Sequence, residues 1–269
     1  MKVGLIITTY NWTEALAKVL HSIRFQSYFP SEVVVCDDGS EIECRNLIIG
    51  LQKNFPCILK HVWQEDKGFR AASIRNKGIL ALSKDIEYIV SIDGDMILHK
   101  NFIKDHVNFS ERNCFIQGGR ALISEKLTAK LLEQVNTSHN FYLFSQGISN
   151  RKNTLYIPFF TKFYKKLNQD LRGVKACNMS FWREDLFLIN GFNEDFIGWG
   201  REDTEIAVRL FKNGKFRKNI KFSGLAFHLY HHENSRSNIS VNDHLLSDAI
   251  ISNSHWCDNG LVKLNENEN

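Results

Sequence analysis

The stretch Tyr-Ile-Val-Ser-Ile-Asp-Gly-Asp, residues 88–95, joins an apolar run to two carboxylates that flank a glycine. A short apolar run bounded by turn residues is typical of a buried strand, so we expect a strand over 88–92. Carboxylates around a glycine can bind a divalent cation, because hard cations prefer oxygen ligands. Asp-Gly is also common in ordinary turns, so the triplet 93–95 alone leaves both interpretations open.

The same arrangement, an apolar run followed by polar residues, occurs twice earlier in the chain. The run 3–7 precedes Thr-Thr-Tyr-Asn at 8–11, and the run 33–36 precedes Asp-Asp-Gly-Ser at 37–40. Between and beyond these runs the apolar spacing alternates between strand and helix periods. The expected helices are 13–25, 70–82 and 202–212, and the further expected strands are 58–62, 175–181 and one or two within 216–228.

Strands that alternate with helices predict an α/β fold with a parallel sheet. The carboxyl ends of parallel strands lie at one edge, where open α/β sheets bind their ligands, so we expect 8–11, 37–40 and 93–95 to meet there. For 37–40, capping of a following helix predicts the same residues as ligand binding, and the choice stays open. No G-x-G-x-x-G or P-loop motif is present, which disfavours dinucleotide dehydrogenases and P-loop phosphotransferases.

Composition indicates the broad class of protein. The 269 residues are 43% hydrophobic and 24% charged, with a net charge of +4, which is typical of a globular protein without a nucleic-acid partner. The six cysteines form no C-x-x-C pair, so we expect neither a zinc ribbon nor disulfides. With no signal peptide and no apolar run of about 18 residues, the expected location is the cytoplasm.

Two cations lie at the start and inside the helix expected after residue 69. Arg70 stands near the helix N-terminus, where the helix dipole and a guanidinium together favour a diphosphate. Arg75 is five residues further and does not share a face with Arg70, so for Arg75 we expect a structural ion pair.

The later part of the chain contains an aromatic turn and a histidine cluster. Gly-Trp-Gly-Arg-Glu-Asp at 198–203 can present the Trp199 ring to a sugar, although its two acids also suit a helix N-terminus. His-Leu-Tyr-His-His at 228–232 could complete a metal site begun by Asp95, or could be ordinary surface histidines.

The segment 136–172 is rich in aromatic and basic residues, and its apolar residues follow neither the helical nor the strand spacing. Between 140 and 170 it has eight aromatic and five basic residues against one acid. It could be a loop over the active site, a membrane-surface patch, an acceptor-binding insert, or a subdomain whose aromatic residues form a core.

Taken together, these motifs resemble a known family. Residues 8–11, 37–40 and 93–95 resemble the inverting, nucleotide-sugar-dependent glycosyltransferases of family 2, which have the GT-A fold. Residues 178–181, 198–203 and 228–231 are similar to a domain of β-1,4-galactosyltransferases and of bacterial chondroitin-type polymerases. The chain departs from the pattern in lacking a proline before Tyr10, and the insert has no counterpart that we can align.

The resemblance implies a donor site for a nucleotide sugar with a divalent metal. Thr9, Tyr10 and Asp38 would hold the nucleobase, uracil, while Arg70 would face the diphosphate and Asp93 the ribose or donor sugar. Asp95 would bind the metal, Mn²⁺ or Mg²⁺, with His228 as a further ligand and His231 as the next choice; histidine mildly favours manganese.

The resemblance also implies an acceptor site and a reaction. Trp199 and Gly200 would bind the acceptor, a glycan or lipid-linked glycan, and Glu202 would bind sugar hydroxyls. Asp203 would be the general base that takes the proton of the attacking hydroxyl, so that an α-linked donor gives a β-linkage. The expected role is extension of a bacterial polysaccharide or lipooligosaccharide.

The implied organisation is one domain with two halves. Residues 1–135 would bind the nucleotide sugar, 136–172 would be the insert, 173–264 would bind the acceptor and carry the base, and 265–269 would be a tail. Peripheral contact with the inner face of the cytoplasmic membrane through 140–170 remains open. The alternative function is a non-catalytic carbohydrate- or partner-binding module, and a nucleotidyltransferase would need a glycine-rich loop after the first strand.

Overall fold

A computed structural model describes residues 1–134, 141, 143–164, 167–232 and 235–263. Its strands are β1 (Val3–Thr9), β2 (Glu32–Asp37), β3 (Ile58–Trp63), β4 (Tyr88–Asp93), β5 (Met96–Leu98), β6 (Cys114–Gly118), β7 (Ala121–Ile123), β8 (Ile148–Ser149), β9 (Leu167–Asn168), β10 (Asn178–Trp182), β11 (Phe216–Ile220) and β12 (Ala226–His228). Its α-helices are α1 (Thr13–Ile23), α2 (Ile42–Gln52), α3 (Ala71–Ala81), α4 (Phe102–Phe109), α5 (Glu125–Glu133), α6 (Pro158–Thr161), α7 (Arg183–Leu188), α8 (Glu202–Lys212) and α9 (Ile239–Ile251).

Most of these strands form one large sheet, in the order β3-β2-β1-β4-β10-β6-β11-β9 among the described residues. β3, β2, β1 and β4 are parallel, as the alternation of strands and helices predicts, and β6 and β11 run in the same direction. β10 is antiparallel to both of its neighbours. In register, Thr8 lies between Cys36 and Asp93, so the ends of three strands meet at one edge.

Helices cover both faces of the sheet, because each central strand is apolar on both sides. On one face Leu5 and Ile7 pack with the apolar stripe of α1 and with residues of α2 and α4. On the other face Ile6 and Val34 pack with residues of α3, α7 and α8. This three-layer arrangement is the GT-A type of α/β fold that the sequence analysis predicts.

A smaller sheet, β5-β12-β7-β8, brings the second half of the chain to the site edge. β5 follows the 93–95 turn directly and pairs antiparallel with β12, so that His228 lies opposite Met96. Asn178 at the start of β10 donates from Nδ2 to the carbonyl oxygens of Gly119 (2.8 Å) and Gly224 (3.0 Å). This amide therefore ties the end of β6 and the loop between β11 and β12 to the start of β10.

The insert contains only short elements in its described residues: β8, a 3₁₀ turn at Arg151–Thr154, α6 and β9. Two of its aromatic residues are part of the protein interior, since Phe141 packs on Phe227 with ring centroids 4.6 Å apart and Tyr156 donates to Asp105 Oδ1 (3.1 Å). Others are exposed, as described below. Tyr142, Lys165, Lys166 and the expected tail 265–269 lie outside the described residues.

Candidate active site

The 93–95 turn is built against the end of β1. The Gly94 amide donates to the Thr8 carbonyl oxygen (2.7 Å), and a Cβ at position 94 would lie 2.9 Å from Thr9 Oγ1. Only glycine fits this approach without displacing the neighbouring strand. The turn therefore sets Asp93 and Asp95 at the carboxyl edge of the sheet, on either side of a fixed backbone.

Asp95 converges with two histidines from β12 and the residues after it. Asp95 Oδ2 lies 3.3 Å from His228 Nε2 and 3.3 Å from His231 Nε2, although both histidines come more than 130 positions after Asp95 in the chain. The Leu229 amide donates to the Asp95 carbonyl oxygen (3.0 Å), which holds the two segments together. Ligand atoms about 2.1 Å from one cation lie about 3 Å apart along an octahedral edge, so these three fit a shared cation.

The electrostatics of this group also fit a cation. Burial lowers the pKa of His228 to about 4, so its ring is neutral at physiological pH and offers a lone pair. Burial alone would raise the pKa of Asp95, but the hydrogen bond from His231 and the nearby charges of His231 and Arg120 hold it below its ordinary value. Among the described residues, buried Asp95 Oδ1 has no hydrogen-bond partner. That oxygen is therefore available as a further ligand.

Arg75 of α3 links the donor side of the site to the acids of α8. Its guanidinium contacts Asp93 Oδ1 (3.2 Å), Glu202 Oε1 (3.0 Å) and Thr8 Oγ1 (3.2 Å). The side chain is 4% exposed, and a buried guanidinium is stable only when it is paired and hydrogen-bonded. The expected ion pair at Arg75 is therefore present, and it lies between two of the predicted site residues.

Glu202 and Asp203 stand at the first turn of α8, beside this guanidinium. Burial and the neighbouring charge of Glu202 raise the pKa of Asp203 to about 7 from its ordinary 3.8. Glu202 Oε2 is buried and, within the described part of the chain, has no hydrogen-bond partner. The pair thus offers a carboxyl group that titrates near neutral pH and a free acceptor oxygen next to it.

The residues predicted for the nucleobase lie together at the ends of β1 and β2. Thr9 is buried, and Tyr10 is half exposed with its hydroxyl donating to Asp66 Oδ2 (2.8 Å). Buried Asp38 accepts from Gln64 Nε2 (2.5 Å) and from the Arg70 amide (2.7 Å). Each Asp38 oxygen keeps one further lone pair, so the carboxylate is oriented and can still accept from a ligand.

Arg70 and Trp199 lie at the borders of the site. The Arg70 guanidinium donates to the carbonyl oxygen of Glu65, and the Arg70 backbone amide fixes Asp38. Trp199 is 38% exposed, and the guanidinium of Arg236 lies 5.0 Å from its ring centroid. Gly200 has φ +102°, a conformation that favours glycine and turns the chain into α8.

A second group of potential ligands, Asp37, Cys44 and His61, lies near the end of β2. Asp37 accepts from the Ser40 amide (2.8 Å) and from His61 Nε2 (2.9 Å), so both carboxylate oxygens are already bonded. Burial raises the pKa of Cys44 to about 12, which keeps it a thiol. This group is therefore a hydrogen-bond network that holds the 37–40 turn.

Sequence reasoning missed two basic residues of the site. It assigned Arg75 only a structural pairing, and it did not consider Arg120. Arg120 follows Gly118-Gly119 at the carboxyl end of β6. Burial raises the pKa of Asp93, and the charge of Arg120 acts against that rise; the same charge contributes to the lowered pKa values of Asp95 and His228. A basic residue after two glycines at a strand end was the available signal.

Comparison with known proteins gives two family matches for this chain. The sequence model described as "Glycosyl transferase family 2" matches residues 5–186, and that described as "N-terminal domain of galactosyltransferase" matches residues 158–232. The first match spans the insert at 136–172 and the second begins inside it at residue 158, so our expectation that the insert has no counterpart is wrong.

Individual relatives and structures match over most of this chain. It is 29% identical to a hyaluronan synthase of Pasteurella multocida over 81% of this chain and 23% of the relative. It is 25% identical to a chondroitin synthase of Escherichia coli over 84% of this chain and 34% of the relative. The structure of GalNAc-T7 with UDP, GalNAc and Mn²⁺ superimposes with a TM-score of 0.63 at 15% identity, over 87% of this chain and 44% of that one.

The chain thus spans about a quarter to a third of the length of these two synthases. The family 2 match covers more than half of the chain and includes Thr9, Asp38, Asp93 and Asp95. By this match and by its GT-A fold, the chain belongs to glycosyl transferase family 2.

Proposed function

We propose that this chain transfers a sugar from a nucleotide donor, a UDP-sugar, to a hydroxyl group of a glycan. The observation that carries the proposal is the convergence of Asp95, His228 and His231 on one point at the sheet edge. The Arg75 network and the acid Asp203 lie beside that point. Such a site contains the parts that a metal-assisted displacement with a general base needs.

The donor half of the proposal is residues 1–135. Bound Mn²⁺ or Mg²⁺ would neutralise charge on the leaving diphosphate, and Asp95, His228 and His231 would hold it. Thr9, Tyr10 and Asp38 would bind the base, while Asp93, fixed by Arg75, would accept from a sugar or ribose hydroxyl. The neighbouring fold of GalNAc-T7, solved with UDP and Mn²⁺, supports this choice of donor and metal.

The acceptor half is residues 173–264. Trp199 and Gly200 would form the floor beneath an acceptor sugar, and Glu202 Oε2 would accept from a hydroxyl. Asp203 would take the proton of the attacking hydroxyl, because a carboxyl group with a pKa of about 7 is both available and basic enough near neutral pH. Attack opposite the leaving nucleotide inverts the anomeric carbon, which turns an α-linked donor into a β-glycoside.

The cellular role we propose is synthesis of a bacterial polysaccharide or lipooligosaccharide, supported by the hyaluronan and chondroitin synthases among the relatives. All six cysteines, each within the described residues, are free thiols, which supports a reducing compartment such as the cytoplasm. In the described residues, no helix is both long and apolar enough to cross a bilayer.

The test is ligand-induced thermal stabilisation followed by a transfer assay. A panel of UDP-sugars, each with and without Mn²⁺, should raise the melting temperature only when the metal is present, because a ligand of the native state stabilises it. Asp95→Asn and His228→Ala should abolish that metal-dependent shift and the transfer to glycan acceptors.

The matched control is His244→Ala, which removes an exposed histidine on α9. It should behave like the unchanged protein in both assays. Nucleotide binding and transfer that persist without metal in the Asp95→Asn variant would refute the proposed metal site. Nucleotide-sugar binding without any transfer would instead identify a non-catalytic binding module.

A further inference from the structure

Four exposed aromatic side chains on α6 and the turn after it form a continuous surface with the half-buried ring of Phe222, which follows β11. We call it the aromatic patch: Phe159, Phe160, Phe163, Tyr164 and Phe222. Successive ring centroids lie between 5.2 and 6.4 Å apart. Phe159 is 64% exposed and Phe163 is 72% exposed, which is unusual for large apolar side chains arranged side by side.

The patch is held in place by hydrogen bonds to the body of the protein. The Ile157 amide donates to the Phe222 carbonyl oxygen (2.9 Å), and Thr161 Oγ1 donates to the Lys221 carbonyl oxygen (2.6 Å). Thr161 is buried, and its hydroxyl also lies 2.5 Å from that of Ser223. The aromatic rings are therefore presented outward by an anchored turn of helix.

Cations surround the rings, and acids are missing from the adjoining sequence. Lys221 Nζ lies 4.9 Å from the Tyr164 ring centroid and 5.3 Å from that of Phe222, while Lys162 is exposed directly after α6. Residues 143–164 include three basic residues and no Asp or Glu. Two copies of such a patch would repel each other, whereas an anionic surface would attract it.

The patch lies at the same edge of the large sheet as the candidate active site. β11 is parallel to β6, and both run in the direction of β4, so the loop after Ile220 and the turn after Asp93 emerge at the same edge. A flat surface touching the aromatic patch would therefore face the edge at which Asp95 lies.

We propose that the aromatic patch seats this chain on the surface of a bilayer that contains anionic phospholipids. Aromatic rings partition into the interfacial layer of a membrane, and lysines beside them bind anionic headgroups. The contact would bring the site edge close to acceptors that are anchored in lipid. Only that last consequence rests on the proposed function; membrane binding by the patch does not.

The experiment is flotation of the full chain with vesicles of phosphatidylcholine alone or mixed with phosphatidylglycerol. The intact protein should float with the mixed vesicles, and less so at high salt. Phe159→Ser with Phe163→Ser should lower the partition coefficient, and Lys162→Glu with Lys221→Glu should lower it about tenfold or more.

The matched controls lie at the opposite edge of the sheet, before β2, β3 and β4. They are Phe25→Ser with Phe29→Ser, which are 50% and 45% exposed, and Lys53→Glu with Lys84→Glu, both exposed. These variants should float like the unchanged protein. Equal flotation of patch and control variants, or no binding of the intact chain to mixed vesicles, would overturn the proposal.

Two further readouts separate this proposal from its competitors. Light scattering measures the mass of the protein in solution. If the intact chain is a dimer that does not bind vesicles, and the Phe159→Ser, Phe163→Ser variant is a monomer, then the patch serves self-association and the membrane proposal is overturned. Transfer to a water-soluble acceptor should be unchanged in the patch variants. Loss of transfer in the Asp203→Asn variant with normal flotation would concern the catalytic proposal alone.

Discussion

Replacement of Asp203 by Asn tests its proposed role as the general base, because the change should lower kcat and raise the free energy of unfolding. The amide keeps the shape of the carboxyl group but cannot accept a proton from the acceptor hydroxyl. In the structure, burial and the charge of Glu202 raise the pKa of Asp203 to about 7. The same desolvation that makes the carboxylate a useful base makes its ionised form costly to the fold.

The catalytic effect follows from the contribution of a general base. Loss of the base should lower kcat by about 10²- to 10⁴-fold. In the unchanged protein, kcat/KM should rise about tenfold per pH unit below pH 7 and level off above it, because the base acts only when deprotonated. The Asn variant should lack this rise.

The stability effect has the reverse sign. The pKa of Asp203 is about 7 in the folded protein and 3.8 ordinarily, so the folded state prefers the protonated group. The contribution of Asp203 to stability is complete below pH 3.8 and is lost as the pH rises to about 7. A difference of about 3 between the folded and the ordinary pKa corresponds to at most about 4 kcal/mol in the free energy of unfolding. We expect about half of that value, because the Asp203 side chain is partly accessible to solvent.

Urea unfolding at pH 4.5 and pH 8 measures this difference. Asp203→Asn should gain free energy of unfolding relative to the unchanged protein, and the gain should be larger at pH 8. Asp248→Asn, an exposed carboxylate on α9, is the matched control and should change neither stability nor kcat. An Asn variant that retains more than about a tenth of kcat, or is less stable at pH 8, would refute the assignment.

Three other substitutions test the neighbouring parts of the site. Arg75→Lys cannot bridge Asp93 and Glu202 with one ammonium group, so urea unfolding should show a loss of about 3 kcal/mol, and a loss below about 1 kcal/mol would contradict the linking role. Asn242→Ala removes the amide that donates to the carbonyl oxygens of Ile197 (3.2 Å) and Gly200 (2.9 Å) on either side of Trp199, so steady-state kinetics should give a higher KM for the acceptor with an unchanged KM for the donor. An equal rise in both KM values would mean that Asn242 does not position the acceptor side. Gly94→Ala places a methyl group 2.9 Å from Thr9 Oγ1, and calorimetry should show a loss of about 1–3 kcal/mol together with loss of the Mn²⁺-dependent nucleotide shift. Unchanged calorimetry in this variant would contradict the close packing of the turn.

Local patterns predicted the three strands that end at the candidate site. The strands that end at Thr9, Asp37 and Asp93 are apolar runs followed at once by polar residues, and this pattern determines both the strand and the edge at which it ends. Helix α8 also agrees with its predicted range, since its acids come first and its apolar residues recur at helical spacing.

Residues whose partners are distant in sequence were harder to predict. The strand expected over 175–181 is observed as β10 at Asn178–Trp182, but its antiparallel insertion between β4 and β6 has no local signal. Arg75 was predicted to pair, yet its position between Asp93 and Glu202 depends on α3 and α8 packing on the same face of the sheet. In the insert, Phe141 and Tyr156 contact the body of the protein, whereas the aromatic residues from Phe159 to Tyr164 are exposed, and composition alone does not separate the two groups.

By itself, the sequence determined where strands and helices form and which polar residues stand at the strand ends, because hydrophobic period and turn chemistry act over a few neighbouring residues. The tertiary structure alone decided which side chains share a site. The pairing of β5 with β12 sets Asp95 beside His228, and the packing of α3 against α8 sets Arg75 between two acids. Charges influence one another's pKa through distance and burial, and both quantities exist only once remote segments have packed together.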